Sequence, residues 1–283
     1  MERVFIIGTG LIGASTGLAL RAAGFRGRID GWDTSQLEMA SAVQMGAIDG
    51  RAASRENALE LARLADVIVL AVPVLAIKDW MQQLAPVLRA GQLVTDVGST
   101  KLEIVELARQ LFTGDAAVFL PGHPMAGKES GGALLAEAGL FDGAMWLFTP
   151  TSAEMIAIEK EWRGWIGCFG SRMLDMDATR HDEMCAWVSH LPQMLSTALA
   201  ALLEEKFGDA PEIAAIGGRA LRETTRLGAS PYSMWRDVAM TNTGPVADTL
   251  LALEQKLQHV RENLRTPELR DEFVLANRFR QRR

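Results

Sequence analysis

Cysteine is nearly missing from this sequence: Cys168 and Cys185 are the two in 283 residues. Two thiols among apolar neighbours make neither a disulfide framework nor a metal-binding spacing. A reducing compartment is therefore expected, and metal chemistry is not. Positive charge is also in short supply. The formal net charge is -6, whereas grasping a phosphate backbone needs a concentrated basic surface, which argues against nucleic acid as the main partner. The one basic cluster, Arg278, Arg280, Arg282 and Arg283, reads as a solvated terminus. Long hydrophobic runs are missing too. The apolar stretch at 4–7 is too short for the apolar region of a signal peptide and ends in a glycine loop. A cytoplasmic protein with no membrane partner is the expectation.

What is present is enough apolar residue, 48% of the chain, to build a large core, at a length where cores tend to split in two. The first half alternates short β-rich runs with helical patterns, the signature of a parallel sheet covered by helices. Strands are expected at 4–7, 28–33, 67–72, 92–97 and 118–120, and helices at 11–23, 35–45, 76–88 and 102–111. Runs at 145–149 and 172–174, with a helix near 154–166, could extend the sheet. From Thr179 the β-rich runs give way to helical stretches at 185–206, 211–225 and 246–265. The expected architecture is a doubly wound parallel sheet over residues 1–175 followed by an all-helical domain over 176–283. A helical domain with this much apolar surface often buries it by dimerising, so a homodimer is expected.

Gly8-Thr9-Gly10-Leu11-Ile12-Gly13 follows the first strand and opens the first helix, the context that gives such a glycine triplet meaning. Gly8 permits a tight turn, Gly10 lets the backbone approach a pyrophosphate, and Gly13 lets helix and strand pack closely, with Leu11 and Ile12 at the helix N-terminus that meets the anion. This is the Rossmann-type arrangement. Asp33 closes the second strand, where a carboxylate can accept bonds from both ribose hydroxyls and would repel a 2′-phosphate, so NAD is expected as cofactor. Ser35 precedes the next helix and is the better cap for it. Val72 and Pro73 would line the same cleft.

Of four histidines, His259 lies in a charged helical stretch and reads as solvated, and His181 beside Asp182 reads as a capping or ion-pair residue. His123 follows a strand in Pro121-Gly122-His123-Pro124-Met125-Ala126-Gly127, at the carboxyl end of the sheet, where ligands bind in such folds. It is the catalytic candidate, suited to acid-base work near neutral pH. Asp96-Val97-Gly98-Ser99-Thr100-Lys101 forms a second loop on the same cleft. Ser99 or Thr100 could equally cap the helix beginning at Leu102.

These blocks, with Lys128-Glu129-Ser130-Gly131, Ser189-His190-Leu191-Pro192, Thr225-Arg226-Leu227 and Met234-Trp235-Arg236-Asp237, resemble the prephenate and arogenate dehydrogenase family. The glycine loop is shared by many dehydrogenases, whereas the His123 block and Ser-His-Leu-Pro are specific. The resemblance implies NAD-dependent oxidative decarboxylation of prephenate or arogenate on the route to tyrosine. It implies that His123 takes the proton of the substrate's ring hydroxyl, that Ser99 orients that histidine or the hydroxyl, and that Arg226 binds a substrate carboxylate. Glu129 would belong to a gating network, and Ser189, His190 and Trp235 would help form the substrate pocket. Gln193 stands where many prephenate-using members carry a second histidine close to the substrate, and Ser230-Pro231-Tyr232 replaces a frequent Asp-Pro. Other readings stay open: a two-domain dehydrogenase of other small acids or imines, which would not require the specific blocks; within the family, a relative acting on a modified, amino-substituted prephenate; and a non-catalytic NAD-binding sensor, which would leave Ser99, His123 and Arg226 without a shared purpose.

Overall fold

The computed structural model describes residues 1–152 and 154–282; Arg283 of the basic cluster lies outside them. Strands run β1 (Arg3–Ile7), β2 (Arg28–Trp32), β3 (Gly50–Arg51), β4 (Val67–Leu70), β5 (Leu93–Asp96), β6 (Val118–Leu120), β7 (Gly122–Pro124), β8 (Met145–Phe148) and β9 (Arg172–Asp175). Between the strands lie helices α1 (Leu11–Ala22), α2 (Gln36–Gln44), α3 (Arg55–Leu64), α4 (Val74–Leu84), α5 (Leu102–Leu111) and α6 (Ala157–Cys168). A helical half follows, with α7 (Ala178–Cys185), α8 (Leu191–Phe207), α9 (Pro211–Ile216), α10 (Arg219–Thr225), α11 (Tyr232–Thr241), α12 (Thr243–Glu262) and α13 (Glu268–Gln281).

Among the described residues the first six strands form one parallel sheet in the order β3-β2-β1-β4-β5-β6. Both faces are covered, so successive side chains point into two different cores. Val4 and Ile6 face the core that contains Ala14 and Phe25, while Phe5 and Ile7 face the one that contains Trp80 and Ile104. The order reverses between β1 and β4, and Ile7 pairs with both Trp32 and Leu70, so the carboxyl ends line up around that crevice. This is where a doubly wound sheet binds its ligand.

The runs at 145–149 and 172–174 do not extend this sheet. They form β8 and β9, which join β7 in a separate three-stranded sheet, β7 antiparallel to β8 and β8 parallel to β9. Pro121, between β6 and β7, has no N–H to carry a ladder onward, and Trp146 and Phe148 are buried with Phe141 and Phe169 instead. The stretch 211–225 is likewise two helices, parted at Gly217-Gly218. The stretch 185–206 is continuous but opens into a π-helical turn at Ala186–His190, just before Pro192, which cannot donate the next helical bond.

Two carboxylates of the helical half cap helices of the sheet half. Asp237 on α11 accepts from the backbone N–H of Leu75 in α4 at 3.2 Å. Asp182 on α7 accepts from those of Lys101 and Leu102 at 2.7 and 2.9 Å. The cap of α5 is thus neither Ser99 nor Thr100, because Asp182 already occupies those donors and the Thr100 hydroxyl bonds Thr241 at 2.7 Å. Ser35 does cap α2, accepting from Glu38 N–H at 3.3 Å. Among the described residues no helix is long and apolar enough to cross a membrane.

Candidate active site

The three glycines of the first loop have different reasons to be glycine. A Cβ on Gly8, at φ +94°, would sit 2.2 Å from the Ala71 carbonyl oxygen, and one on Gly13 would sit 1.9 Å from the Gly8 carbonyl oxygen. Both are forced by packing. A Cβ on Gly10 would meet nothing within 4 Å, so here the bare backbone faces open space. The first turn of α1 has no side-chain cap, leaving the N–H groups around Leu11 and Ile12 free to meet an anion. Asp33 is half-buried and accepts from the backbone N–H of Thr9 at 2.8 Å and of Ser35 at 2.9 Å. Those bonds hold the carboxylate against the loop while leaving each oxygen a further acceptor site. The residues fit a dinucleotide: an anion-binding turn, a bare glycine, and an acidic group at the end of the second strand.

A cavity of about 370 Å³ opens beside this loop, lined by Gly10, Leu11 and Ile12 from it, Val72 and Pro73 past β4, and Ser99, His123 and Glu129 from the other two loops. Met234 and Val238 of α11 close the far side. Asp96, fully buried, holds the loops of Ser99 and His123 together. It accepts from Gly98 N–H at 2.8 Å and Gly122 N–H at 3.1 Å, and it is ion-paired with the equally buried Lys101.

His123, in β7, is 7% exposed. Its Nδ1 lies 2.9 Å from His181 Nε2, and His181 Nδ1 lies 2.7 Å from Asp182 Oδ1. Burial pushes the pKa of both imidazoles down; for His123, which lies well below the ordinary value, neighbouring His181, Lys101 and His190 push further the same way. Both rings are therefore neutral near pH 7. The Asp182 carboxylate can only accept, so His181 carries its proton on Nδ1 and presents a lone pair at Nε2. His123 must then donate from Nδ1, which leaves its own lone pair on Nε2. Sequence reasoning missed His181 as part of this chain. The His181-Asp182 pair was visible, but nothing in the sequence says that α7 packs against β7. Cys185 Sγ sits 3.6 Å from His181 Nε2, so the three side chains form a compact His-His-Cys group. Burial first, then the Asp182 charge, pushes the Cys185 thiol up to about 12, so it is protonated and packs as a neutral group.

Of the remaining residues, Gln193 and Trp235 line a second cavity of about 460 Å³, on another face of α11, together with Ser230 and Arg236, whereas Ser189, His190 and Arg226 line neither cavity. His190 is 1% exposed, accepts at Nδ1 from the Asn242 amide, and packs edge-on against Trp235 with ring centroids 5.9 Å apart. Burial pushes its pKa down to about 4. Ser189 is half-buried on the π-helical turn. Arg226 and Glu129, both partly exposed, form an ion pair that ties the helical half to the His123 loop.

Comparison with known proteins gives one consistent answer. Residues 16–166 match the family model described as prephenate dehydrogenase, nucleotide-binding domain, and residues 177–278 match prephenate dehydrogenase, dimerization domain. The chain is 34% identical to the prephenate dehydrogenase of Lactococcus lactis subsp. cremoris over 86% of its own length and 65% of that protein, so it spans just under two thirds of that relative. It is 30% identical to the cyclohexadienyl dehydrogenase of Zymomonas mobilis subsp. mobilis over 91% of the chain and 87% of that protein. In fold it is similar to the crystal structure of prephenate dehydrogenase from A. aeolicus in complex with hydroxyphenyl propionate and NAD+, with a TM-score of 0.87 at 28% identity, covering 99% of this chain and 96% of that one.

Proposed function

Because this chain belongs to the prephenate dehydrogenase family, we propose that it is an NAD-dependent dehydrogenase that oxidatively decarboxylates prephenate or arogenate in tyrosine biosynthesis. The observation that carries this reading is the Asp182–His181–His123 chain of hydrogen bonds, which leaves a neutral imidazole with its lone pair on Nε2 in the wall of the cavity beside the glycine loop.

Gly8, Gly10, Leu11, Ile12 and Gly13 would hold the pyrophosphate, Asp33 the ribose hydroxyls, and Val72 and Pro73 the wall of the cleft. NAD, when bound, supplies the hydride acceptor. His123 Nε2 takes the proton of the ring hydroxyl, and Ser99, which lines the same cavity, orients the histidine or the hydroxyl. Losing that proton lets the ring carbon that bears the hydroxyl give up a hydride, and loss of the ring carboxylate as carbon dioxide then leaves an aromatic ring. A positioned base contributes roughly 10² to 10⁴ in rate, so alignment in the cavity must supply much of the rest. Arg226 binds a substrate carboxylate with its forked guanidinium, and its pairing with Glu129 is the gate it opens when substrate takes the carboxylate's place. Ser189, His190, Gln193 and Trp235 shape the part of the pocket that takes the side chain.

The dinucleotide-binding unit comprises residues 1–175 and the substrate and dimerisation unit residues 176–283. A homodimer is supported by the apolar surface of the helical half: among the described residues α9, α10 and α13 bury none, while Ile216, Tyr232 and Phe273 stand exposed. The enzyme would work in the cytoplasm. Purified protein given NAD and either acid should release NADH and carbon dioxide in equal amounts; NAD binding without oxidation of either acid would contradict the assignment.

A further inference from the structure

Gln193 is 3% exposed, and its amide has only one possible orientation. Its nitrogen donates to the Leu227 carbonyl oxygen at 2.7 Å and to the Thr197 hydroxyl at 3.1 Å. A carbonyl has no proton to give, so exchanging the amide's nitrogen and oxygen would set two acceptors against each other. Oε1 is therefore fixed as the amide atom turned away from the Leu227 carbonyl, and it is buried without a hydrogen-bond partner.

Two further buried atoms of the helical half lack partners, and both are donors. Trp235, which lines the same cavity as Gln193, has an unpartnered Nε1–H. His190, edge-on to Trp235, accepts at Nδ1 from an Asn242 amide nitrogen that also donates to the Asp182 carbonyl. Its proton is thus on Nε2, again unpartnered. The unmet set is two N–H donors and one carbonyl acceptor.

We infer that this set recognises an α-amino acid head group, so that Gln193 selects arogenate over prephenate. The inference rests on the dehydrogenase reading and on the substrate's side chain reaching Gln193. A carboxylate, common to both acids, satisfies the two N–H donors. An ammonium group carries only donors and completes Oε1, whereas a keto oxygen carries only lone pairs and sets acceptor against acceptor. A buried polar group left unpaired by the wrong ligand discriminates strongly, and a bond to a charged donor corresponds to a preference of about tenfold or more.

The test is kcat/KM for arogenate and prephenate, each at saturating NAD, with the unaltered protein and with Gln193→Leu. Arogenate favoured by about tenfold or more, with the ratio collapsing in the variant mainly through loss on arogenate, supports the inference. Equal use of the acids or a preference for prephenate overturns it and leaves the dehydrogenase reading standing. Oxidation of neither acid removes both. Should Gln193→Leu fail to fold, the ratio in the unaltered protein decides; a folded variant with an unchanged ratio removes Gln193 as the selector.

Discussion

His123 Nδ1 lies 2.9 Å from His181 Nε2, and because Asp182 holds the other nitrogen of His181, the proton between the two rings belongs to His123. The relationship fixes which atom of His123 can act as a base. It also joins the two halves of the molecule at the proposed base, since His123 sits in β7 and His181 in α7.

Replacing His181 with alanine should therefore do two separable things. Turnover should fall by about two orders of magnitude, as His123 loses its fixed tautomer. The acid limb of the pH profile of kcat/KM should also move to higher pH, because His181 and the burial it helps create both depress the His123 pKa. A lower rate with an unmoved limb would make His181 merely a packing residue.

The glycine loop separates packing from binding. Gly13→Ala places a methyl group against the Gly8 carbonyl and should destabilise the fold by about 1 to 3 kcal/mol. Gly10→Ala meets nothing and should leave the melting temperature nearly unchanged while weakening NAD binding at least about tenfold. Calorimetry and a binding titration on both variants check this; equal loss of NAD affinity without any difference in stability would contradict it.

Acid should destabilise the protein in a defined window. His190 has its folded pKa pushed down to about 4 from an ordinary 6.5. Above pH 6.5 the ring is neutral folded or unfolded, and its contribution is fully present. Below 6.5 the unfolded chain takes up the proton first, so stability falls with pH until the folded ring also titrates near 4. The loss attributable to His190 is about 3 kcal/mol, and His123 acts in the same direction. Urea unfolding at several pH values should show a His190→Asn variant losing less across this window than the parent; parallel curves would remove His190 as the cause.

Arg226→Ala should raise KM with little change in kcat, because a carboxylate contact of this kind forms already in the ground state. Steady-state kinetics with the better acid decide it, and an unchanged KM would remove Arg226 from substrate binding.

Local features were legible in the sequence where one segment carries its own reason. The glycine loop, Asp33 at the end of β2 and the Ser35 cap are all set by neighbours a few residues away; the loop lies between β1 and α1 and Asp33 just past β2, where the sequence puts them, and Ser35 caps α2. His123 was legible as a residue in a loop too rich in glycine and proline to be simple packing, but not as part of a strand, because β7 has only three residues. What was illegible depends on contacts between distant segments. An apolar run at 145–149 announces a strand without saying which sheet receives it. Asp182 gives no local sign that it caps α5, some 80 residues earlier in the chain. His181 looked like an ordinary ion-pair residue for the same reason, and Gln193 looked like a simple replacement until its amide was seen to be held by Leu227.

The most direct test of the central claim is the initial rate of NADH formation from prephenate and from arogenate, measured for the parent protein and for His123→Asn with NAD affinity determined alongside. The expected result is turnover by the parent of at least one acid, lowered by about 10² or more in the variant, with NAD binding little changed. Turnover of neither acid by the parent, or near-normal turnover by the variant, would contradict it.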